Sequence, residues 1–179
     1  MNSISCAFTG HRPSKLPWRY DETSPQFLAF RAALETRITA LSETGTVHFL
    51  SGMAEGTDLV CAEIVLSLRQ KNPAVKLHCI LPFVEQANHW SAFSRERYQA
   101  ILSQADSVIY VSRTYTRNCY LDRNHFLVDY SNVLLAVYNG MPRSGTGMTV
   151  RYARKLGREL WIMDPASLLF QHEEPGHSQ

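Results

Sequence analysis

Apolar runs of strand length alternate along most of this chain with longer segments of helical periodicity. A helix between two strands returns the chain to the same end of the sheet, so such strands lie parallel. A parallel sheet is buried on both faces and needs a layer of helices on each. The six apolar runs lie at residues 5–9, 47–50, 75–81, 107–111, 133–138 and 159–163. The pattern predicts an α/β fold with three layers and a mainly parallel sheet.

The segments between these runs carry helix start and stop signals. Ser24 is an N-cap residue followed by Pro25, an apolar stripe continues from there, and Gly45 ends the first helix. Four further helices are predicted at residues 57–70, 89–103, 123–131 and 146–156. Trp90, Phe93 and Ile101 are expected on the apolar side of the third. These elements form one domain over residues 1–170, and residues 171–179 are expected to be a disordered tail.

Charge and cysteine usage narrow the class of protein. The 179 residues carry a formal net charge of +2, too little to indicate a nucleic-acid partner. No apolar run approaches the length of a membrane span, and no signal peptide is evident, which predicts a cytoplasmic protein without a membrane partner. The cysteines are scattered without a Cys-x-x-Cys pair, which favours free core thiols and no metal site: Cys6, Cys61, Cys79 and Cys119.

Two glycine-rich turns each open a predicted helix. The first follows the second strand at residues 51–58, and the other follows the fifth strand at residues 139–149. Glycine lets the backbone approach a ligand closely, and the first N–H groups of a helix are free to bind an anion. Asp58 would repel a phosphate in the first turn, so it either accepts from ribose hydroxyls or is an ordinary first-turn carboxylate. Both turns are candidate phosphate sites.

Other chemistry-bearing residues also follow predicted strands, where parallel sheets bind ligands. Thr9, Gly10 and Arg12 follow the first strand, and the arginine either forks onto a phosphate or is simply exposed in a turn. Trp90 either stacks on a base or packs in the core. A long polar segment at residues 112–124 ends near Arg123, and long polar loops are often functional. The chain has neither the Gly-x-Gly-x-x-Gly nor the Gly-x-x-x-x-Gly-Lys-Ser/Thr pattern, which disfavours a standard dehydrogenase or P-loop ATPase.

Together these motifs resemble the YpsA-like branch of the SLOG superfamily. The shared pieces are Thr-Gly-His-Arg-Pro at 9–13, Ser-Gly-Met-Ala-x-Gly-x-Asp at 51–58, Leu-Pro-Phe at 81–83, a helix with Trp, Arg and Tyr, and Arg-Asn before the fifth strand. The resemblance covers about residues 4–163. It implies a single Rossmann-like domain that binds a nucleotide or nucleotide derivative, and homo-oligomers are expected by analogy. Relatives include LOG phosphoribohydrolases, DprA-like DNA-processing domains and sensors of nucleotide-derived signals.

One departure from the relatives bears on enzymatic activity. LOG enzymes carry Pro-Gly-Gly-x-Gly-Thr-x-x-Glu, and aligning the Gly-Thr pair places Thr149 where that glutamate stands. Threonine cannot replace a carboxylate as a general base or in stabilising an oxocarbenium charge. Glu55 and Asp58 are then the candidate catalytic carboxylates, and whether the chain is an enzyme stays open.

The sequence therefore predicts a nucleotide-binding protein, in one version a sensor, that requires no cofactor. Its alternatives are a LOG-like nucleotide N-glycosidase and a DprA-like module for single-stranded DNA. The predicted ligand-binding residues are Thr9, Gly10, Arg12, Ser51, Gly52, Met53, Ala54, Gly56, Asp58, Trp90, Arg123, Ser144, Gly145 and Thr146.

Overall fold

The computed structural model describes residues 4–176, which form seven strands and five helices around one sheet. The strands are β1 (Ile4–Gly10), β2 (Thr46–Ser51), β3 (Lys76–Leu81), β4 (Ser107–Tyr110), β5 (Val133–Val137), β6 (Glu159–Met163) and β7 (Phe170–Glu173). The helices are α1 (Pro25–Glu43), α2 (Thr57–Lys71), α3 (Ala92–Leu102), α4 (Cys119–Asp129) and α5 (Gly145–Lys155). This is the predicted α/β architecture, a Rossmann-like domain.

The strand order places a crevice at the centre of the sheet. The order is β4-β3-β2-β1-β5-β6-β7, with every pair parallel except β6 and β7. From β1 the chain first builds outward to β4 and then returns to β5 on the other side of β1. The crossover helices therefore lie on opposite faces, and a gap opens above the carboxyl ends of β1 and β5.

Two apolar clusters fill the space between the sheet and its helices. Helices α1, α2 and α3 cover one face, where Phe30, Leu34 and Ile64 are buried against the sheet. Helices α4 and α5 cover the other face through Leu127 and Val150. Because both faces are covered, β5 is buried at all five positions and has no polar side chain.

The carboxyl-terminal segment differs from the predicted disordered tail. Residues 171–173 belong to β7, which pairs antiparallel with β6, and residues 177–179 lie outside the described residues. Phe170 and His172 project to the same side of β7 and contact the Trp161 ring, which stacks on His172 at 3.9 Å between centroids. Arg154 also bonds to Glu173 at 2.7 Å. The segment is polar in composition, and only these contacts to β6 and α5 explain its order.

Two helix starts also differ from the prediction. Helix α3 begins at Ala92 because the Ser91 hydroxyl accepts a hydrogen bond from the Ser94 N–H at 3.1 Å. Phe93 in its first turn is 71% exposed and does not belong to the apolar side. Helix α4 begins at Cys119, four residues before the predicted start, because Cys119 and Arg123 are buried one turn apart on the same face.

Candidate functional site

A cavity of about 250 Å³ lies above the carboxyl ends of β1 and β5. Three parts of the chain form its walls: the segment after β1, the amino-terminal turn of α5, and one face of α4. Its base is formed by Ala54 and Asp58 at the start of α2. The position is the crevice that the strand order creates, where parallel sheets bind their ligands.

The segment after β1 supplies positive charge. Arg12 and Lys15 line the cavity beside Thr9 and Gly10. A Cβ on Gly10 would overlap the Thr57 side chain, so glycine is required where β1 meets the start of α2. After β1, the backbone of this segment packs against α2, and the side chains of Arg12 and Lys15 face the cavity.

His11 anchors the same segment to the end of β5. The ring is 3% exposed, and its Nε2 lies 2.8 Å from Asn139 Oδ1. Burial lowers the pKa of His11, and the hydrogen bond to Asn139 opposes that shift. The neutral imidazole joins the β1 and β5 loops across the crevice.

The amino terminus of α5 supplies uncommitted backbone donors. The Ser144 hydroxyl caps the helix by accepting from the Gly147 N–H at 2.9 Å. Among the described residues, nothing accepts a hydrogen bond from the N–H groups of Gly145 and Thr146, and both residues line the cavity. A helix amino terminus with free N–H groups is suited to an anion.

A buried ion pair lies at the base of the cavity. Asp58 Oδ2 is 3.7 Å from Arg123 Nη1, and both side chains are 7% exposed. Arg123 also donates from Nη1 to the carbonyl of Gly52 and from Nε to Asn124 Oδ1, the latter at 2.9 Å. Burial raises the pKa of Asp58, and the Arg123 guanidinium opposes the shift. Within residues 4–176, no acceptor is bonded to Nη2 of Arg123, which leaves that nitrogen free for a ligand.

In the glycine turn after β2, side chains of the turn itself accept the hydrogen bonds of backbone N–H groups. The Ala54 N–H bonds to Asp58 Oδ2 at 3.3 Å, and the Met53 N–H bonds to the Ser51 hydroxyl at 3.1 Å. The Ser51 hydroxyl in turn donates to the Asp58 carbonyl at 3.0 Å. The carboxylate of Asp58 thus takes the place that a phosphate would take in this turn. In the turn before α5, by contrast, the N–H groups of Gly145 and Thr146 line the cavity without an acceptor among the described residues.

The other predicted residues of that turn shape it without lining the cavity. A Cβ on Gly52 would overlap Arg123, so this glycine permits the buried ion pair. Gly56 has φ +91°, and a Cβ at this position would lie only 2.9 Å from the His11 carbonyl oxygen, so glycine is required here. Met53 is fully buried, and its carbonyl accepts from Gln86 Nε2 at 2.9 Å. Ser51 lies beneath the turn.

Two predicted residues lie away from the cavity. Trp90 packs edge-to-face on Tyr98 with 5.3 Å between centroids and joins the core on the α3 side. Glu55 lines a separate depression beside Pro13 and Tyr20. Neither side chain contacts the space beside Arg12 and Arg123.

Of the cavity residues on α4, the sequence reasoning identified Arg123 but missed three others. Tyr120, Asn124 and Leu127 line the cavity along one face of that helix. Their spacing of four and three residues is helical. Tyr120 lies in the polar segment at residues 112–124 that was predicted as a loop, whereas Leu127 lies in the helix predicted at residues 123–131. An aromatic, an amide and an aliphatic residue at i, i+4 and i+7 were the available signal.

A larger groove elsewhere does not suit an anion. It measures about 690 Å³ and lies between α2 and α3, where Glu22, Glu63 and Glu96 face it. Its arginine, Arg97, is already bonded to Glu63 at 2.6 Å and to Glu22 at 2.7 Å. The cavity at β1 and β5 is therefore the candidate site for a phosphate.

Among the described residues 4–176, no group of three or more His, Cys, Asp or Glu side chains is placed to hold a metal ion. No helix in that part of the chain is long and apolar enough to cross a membrane.

The sequence is similar to a known family model and to individual bacterial proteins. The family model YpsA, described as the YspA SLOG family, matches residues 6–168. A UPF0398 protein of Bacillus pumilus (strain SAFR-032) is 35% identical over 136 residues, which cover 74% of this chain and 72% of the relative. A UPF0398 protein of Bacillus thuringiensis (strain Al Hakam) is 32% identical over 153 residues, covering 84% and 83%. The match includes all three walls of the cavity.

Proposed function

The chain belongs to the YpsA branch of the SLOG family, and we propose that it binds a nucleotide or nucleotide derivative in the cavity at β1 and β5. The observation that carries the proposal is the convergence of free donors and cations on one space. The N–H groups of Gly145 and Thr146 and the side chains of Arg12, Lys15 and Arg123 all reach it. A phosphate is the anion that such a set of donors suits, because helix N–H groups and guanidinium groups both bind its oxygens.

The size of the cavity favours a compact ligand. At about 250 Å³ it lies just below the range of about 300–1,000 Å³ typical of small-molecule pockets. One phosphate and one ring system suit this volume better than an extended dinucleotide. Binding without turnover suits a sensor, in which the bound ligand itself is the signal.

The position of Thr149 argues against hydrolysis of the LOG type. Its side chain is 2% exposed, and its hydroxyl donates to the Gly145 carbonyl at 2.9 Å within α5. The hydroxyl is therefore committed to the helix, and it does not line the cavity. The residue aligned with the LOG glutamate offers no acid or base to a ligand.

A specific observation also supports a second candidate function, nucleotide N-glycosidase activity. Asp58 is a carboxylate that lines the cavity, and no described residue donates to its Oδ1. Burial raises its pKa, as general acids require. Chromatography of nucleoside monophosphates incubated with the protein tests this candidate. Free base that disappears in Asp58→Asn but persists in the control Glu55→Gln would favour the enzyme over the sensor.

The binding proposal is tested by thermal unfolding with nucleoside monophosphates, NAD and ADP-ribose, together with mass spectrometry of any nucleotide released on denaturation. A ligand at a hundredfold excess over its Kd adds about 2.7 kcal/mol to the free energy of unfolding. For a domain of this size the gain raises Tm by about 5–11 °C. Arg12→Ala combined with Lys15→Ala should abolish the shift, whereas Arg117→Ala, an exposed arginine that does not line the cavity, should preserve it. No shift with any phosphate-bearing ligand would overturn the proposal.

A further inference from the structure

We propose that Tyr120 and Asn124 of α4 form the seat for a heteroaromatic ring of the ligand, with the ring stacked on Tyr120 and a ring acceptor bonded to Asn124 Nδ2. The inference rests on the proposed function and names the part of the ligand that the phosphate donors leave unassigned. The two residues lie one helical turn apart and face the cavity together.

Tyr120 has a fixed ring that is available for stacking. It packs edge-to-face on Phe83, with 5.8 Å between centroids and 85° between planes. Phe83 is 8% exposed and is itself held at the end of β3, so the Tyr120 ring rests on a rigid support. Tyr120 is half-buried and lines the cavity, and the Arg12 guanidinium carbon lies over its ring at 5.9 Å from the centroid, so a stacked ligand ring shares the Tyr120 surface with Arg12 or displaces it. A preorganised aromatic surface of this kind binds planar rings at little entropic cost.

Asn124 is oriented by the ion pair beneath the cavity. Its Oδ1 accepts from Arg123 Nε at 2.9 Å, which fixes the oxygen toward Arg123 and the amide nitrogen away from it. No described residue accepts from Nδ2, although the side chain is half-buried. The free donor therefore selects a ligand atom that accepts a hydrogen bond, such as a ring nitrogen or a ring carbonyl oxygen.

One further residue of α4 completes an apolar floor for the ring. Leu127 lies on the next turn of α4, lines the cavity and is 1% exposed. Its side chain cannot bond to a sugar or a phosphate. An aromatic surface, an apolar floor and one amide donor together match a nucleobase, whereas the cations and the α5 N–H groups match its phosphate.

The test compares a ligand with only the phosphate end of a mononucleotide, a ligand with only its ring end, and a mononucleotide with both. Isothermal titration calorimetry measures Kd for ribose 5-phosphate, adenosine, and the tightest binder among AMP, GMP, CMP and UMP. We expect Tyr120→Leu to weaken the mononucleotide by about 5- to 150-fold, the range of base stacking on an aromatic ring. Ribose 5-phosphate should weaken far less, because it loses only the support that the Tyr120 ring gives Arg12 at 5.9 Å. Tyr120→Phe keeps the ring and should recover most of the lost affinity.

The matched control is Tyr115→Leu. Tyr115 makes a similar edge-to-face contact with Phe83, at 5.6 Å and 81°, but does not line the cavity. Its removal should change neither the Kd of ribose 5-phosphate nor that of the mononucleotide. Circular dichroism of each variant checks that the fold is intact.

Asn124→Asp tests the amide donor, because aspartate keeps an acceptor for Arg123 Nε and loses the N–H groups. The added negative charge weakens any phosphate ligand, so the ratio of the ribose 5-phosphate Kd to the mononucleotide Kd is compared. We expect this ratio to fall by about 2- to 10-fold, as for the loss of one hydrogen bond.

Equal binding of ribose 5-phosphate and mononucleotide, with a ratio that Tyr120→Leu does not change, would overturn the ring seat and leave the proposed function intact. Adenosine binding that depends on Tyr120, without ribose 5-phosphate binding, would support the ring seat and overturn the phosphate site. Absence of binding by all three classes would overturn both.

Discussion

Asp58 Oδ2 and Arg123 Nη1 lie 3.7 Å apart at the base of the cavity, and each side chain belongs to a different layer of the fold. Asp58 is in the first turn of α2, which covers one face of the sheet, and Arg123 is on α4, which covers the other. The pair meets above the carboxyl edge of the sheet. It holds the turn after β2 in place, because Asp58 bonds to the Ala54 N–H and Arg123 bonds to the Gly52 carbonyl.

Removing one member of this pair should destabilise the protein strongly. Arg123→Met leaves the Asp58 carboxylate buried without its counter-charge, and such losses typically cost about 3–5 kcal/mol. Urea denaturation at pH 7 measures the change in the free energy of unfolding. The double variant Asp58→Leu with Arg123→Met buries no unpaired charge and should be more stable than Arg123→Met alone. Equal stability of the two variants would show that the pair does not act as a unit.

The pH dependence of Arg123→Met follows from the buried carboxyl group. Burial raises the pKa of Asp58 above its ordinary value of 3.8, and loss of Arg123 removes the main opposing charge. A raised pKa contributes stability below the unfolded-state pKa, and this stability is lost as pH rises through the folded-state pKa. The deficit of the variant relative to the native protein should therefore grow as pH rises from about 4 toward 8. Urea titrations at pH 4.5, 6 and 8 measure it, and a deficit independent of pH would contradict the assignment.

Gly52 and Gly145 should respond oppositely to alanine. A Cβ at Gly52 would overlap Arg123 Nη1, whereas a Cβ at Gly145 meets nothing within 4 Å. Gly52→Ala should displace Arg123 and lower the free energy of unfolding by about 1–3 kcal/mol, as for other overpacked sites. Gly145→Ala lies at the start of α5 and should leave stability unchanged or raise it by up to about 1 kcal/mol. Thermal unfolding of both variants checks the contrast, and equal losses would contradict it.

His11 should make the stability of the protein fall in mild acid. Burial lowers the pKa of His11 below 6.5, so folding favours the neutral ring, although the hydrogen bond to Asn139 opposes the shift. A lowered pKa contributes stability that is present above the unfolded-state pKa and lost as pH falls through the folded-state pKa. Between pH 7.5 and pH 5 the native protein should lose more stability than His11→Gln. The difference between the two losses isolates His11 from the other histidines.

Several elements followed from the sequence because the cause was local. Helix α1 has its N-cap serine, its first-turn proline and its apolar stripe within one continuous segment of the chain. Strand β5 is an unbroken apolar run because it is buried on both faces. The cap of α5 at Ser144 is equally local, and the start of this helix was predicted to within one residue.

Other features depended on partners distant in the chain. The start of α4 is polar in sequence, and it is determined by the burial of Cys119 and Arg123 and by the bond from Arg123 to the Gly52 carbonyl. The order of β7 comes from its contacts to Trp161 and Arg154. Nothing in the glycine turn after β2 shows that Asp58 folds back onto the Ala54 N–H. Prediction failed where one segment supplies the hydrogen-bond partner or the covering surface of another.

Restoring the LOG glutamate at position 149 should damage the fold without creating a hydrolase. Thr149 is 2% exposed and its hydroxyl bonds to Gly145 within α5, so Thr149→Glu would bury a larger, ionisable side chain behind the cavity wall. Burying a carboxylate without a partner costs several kcal/mol or forces its protonation. The variant should show a lower Tm and release no free base from nucleoside monophosphates. Thr149→Val keeps the size and loses only the hydroxyl, which already has an acceptor within the helix, so it should cost about 1 kcal/mol. A stable Thr149→Glu variant that cleaves nucleotides would contradict this prediction and show that position 149 reaches the ligand.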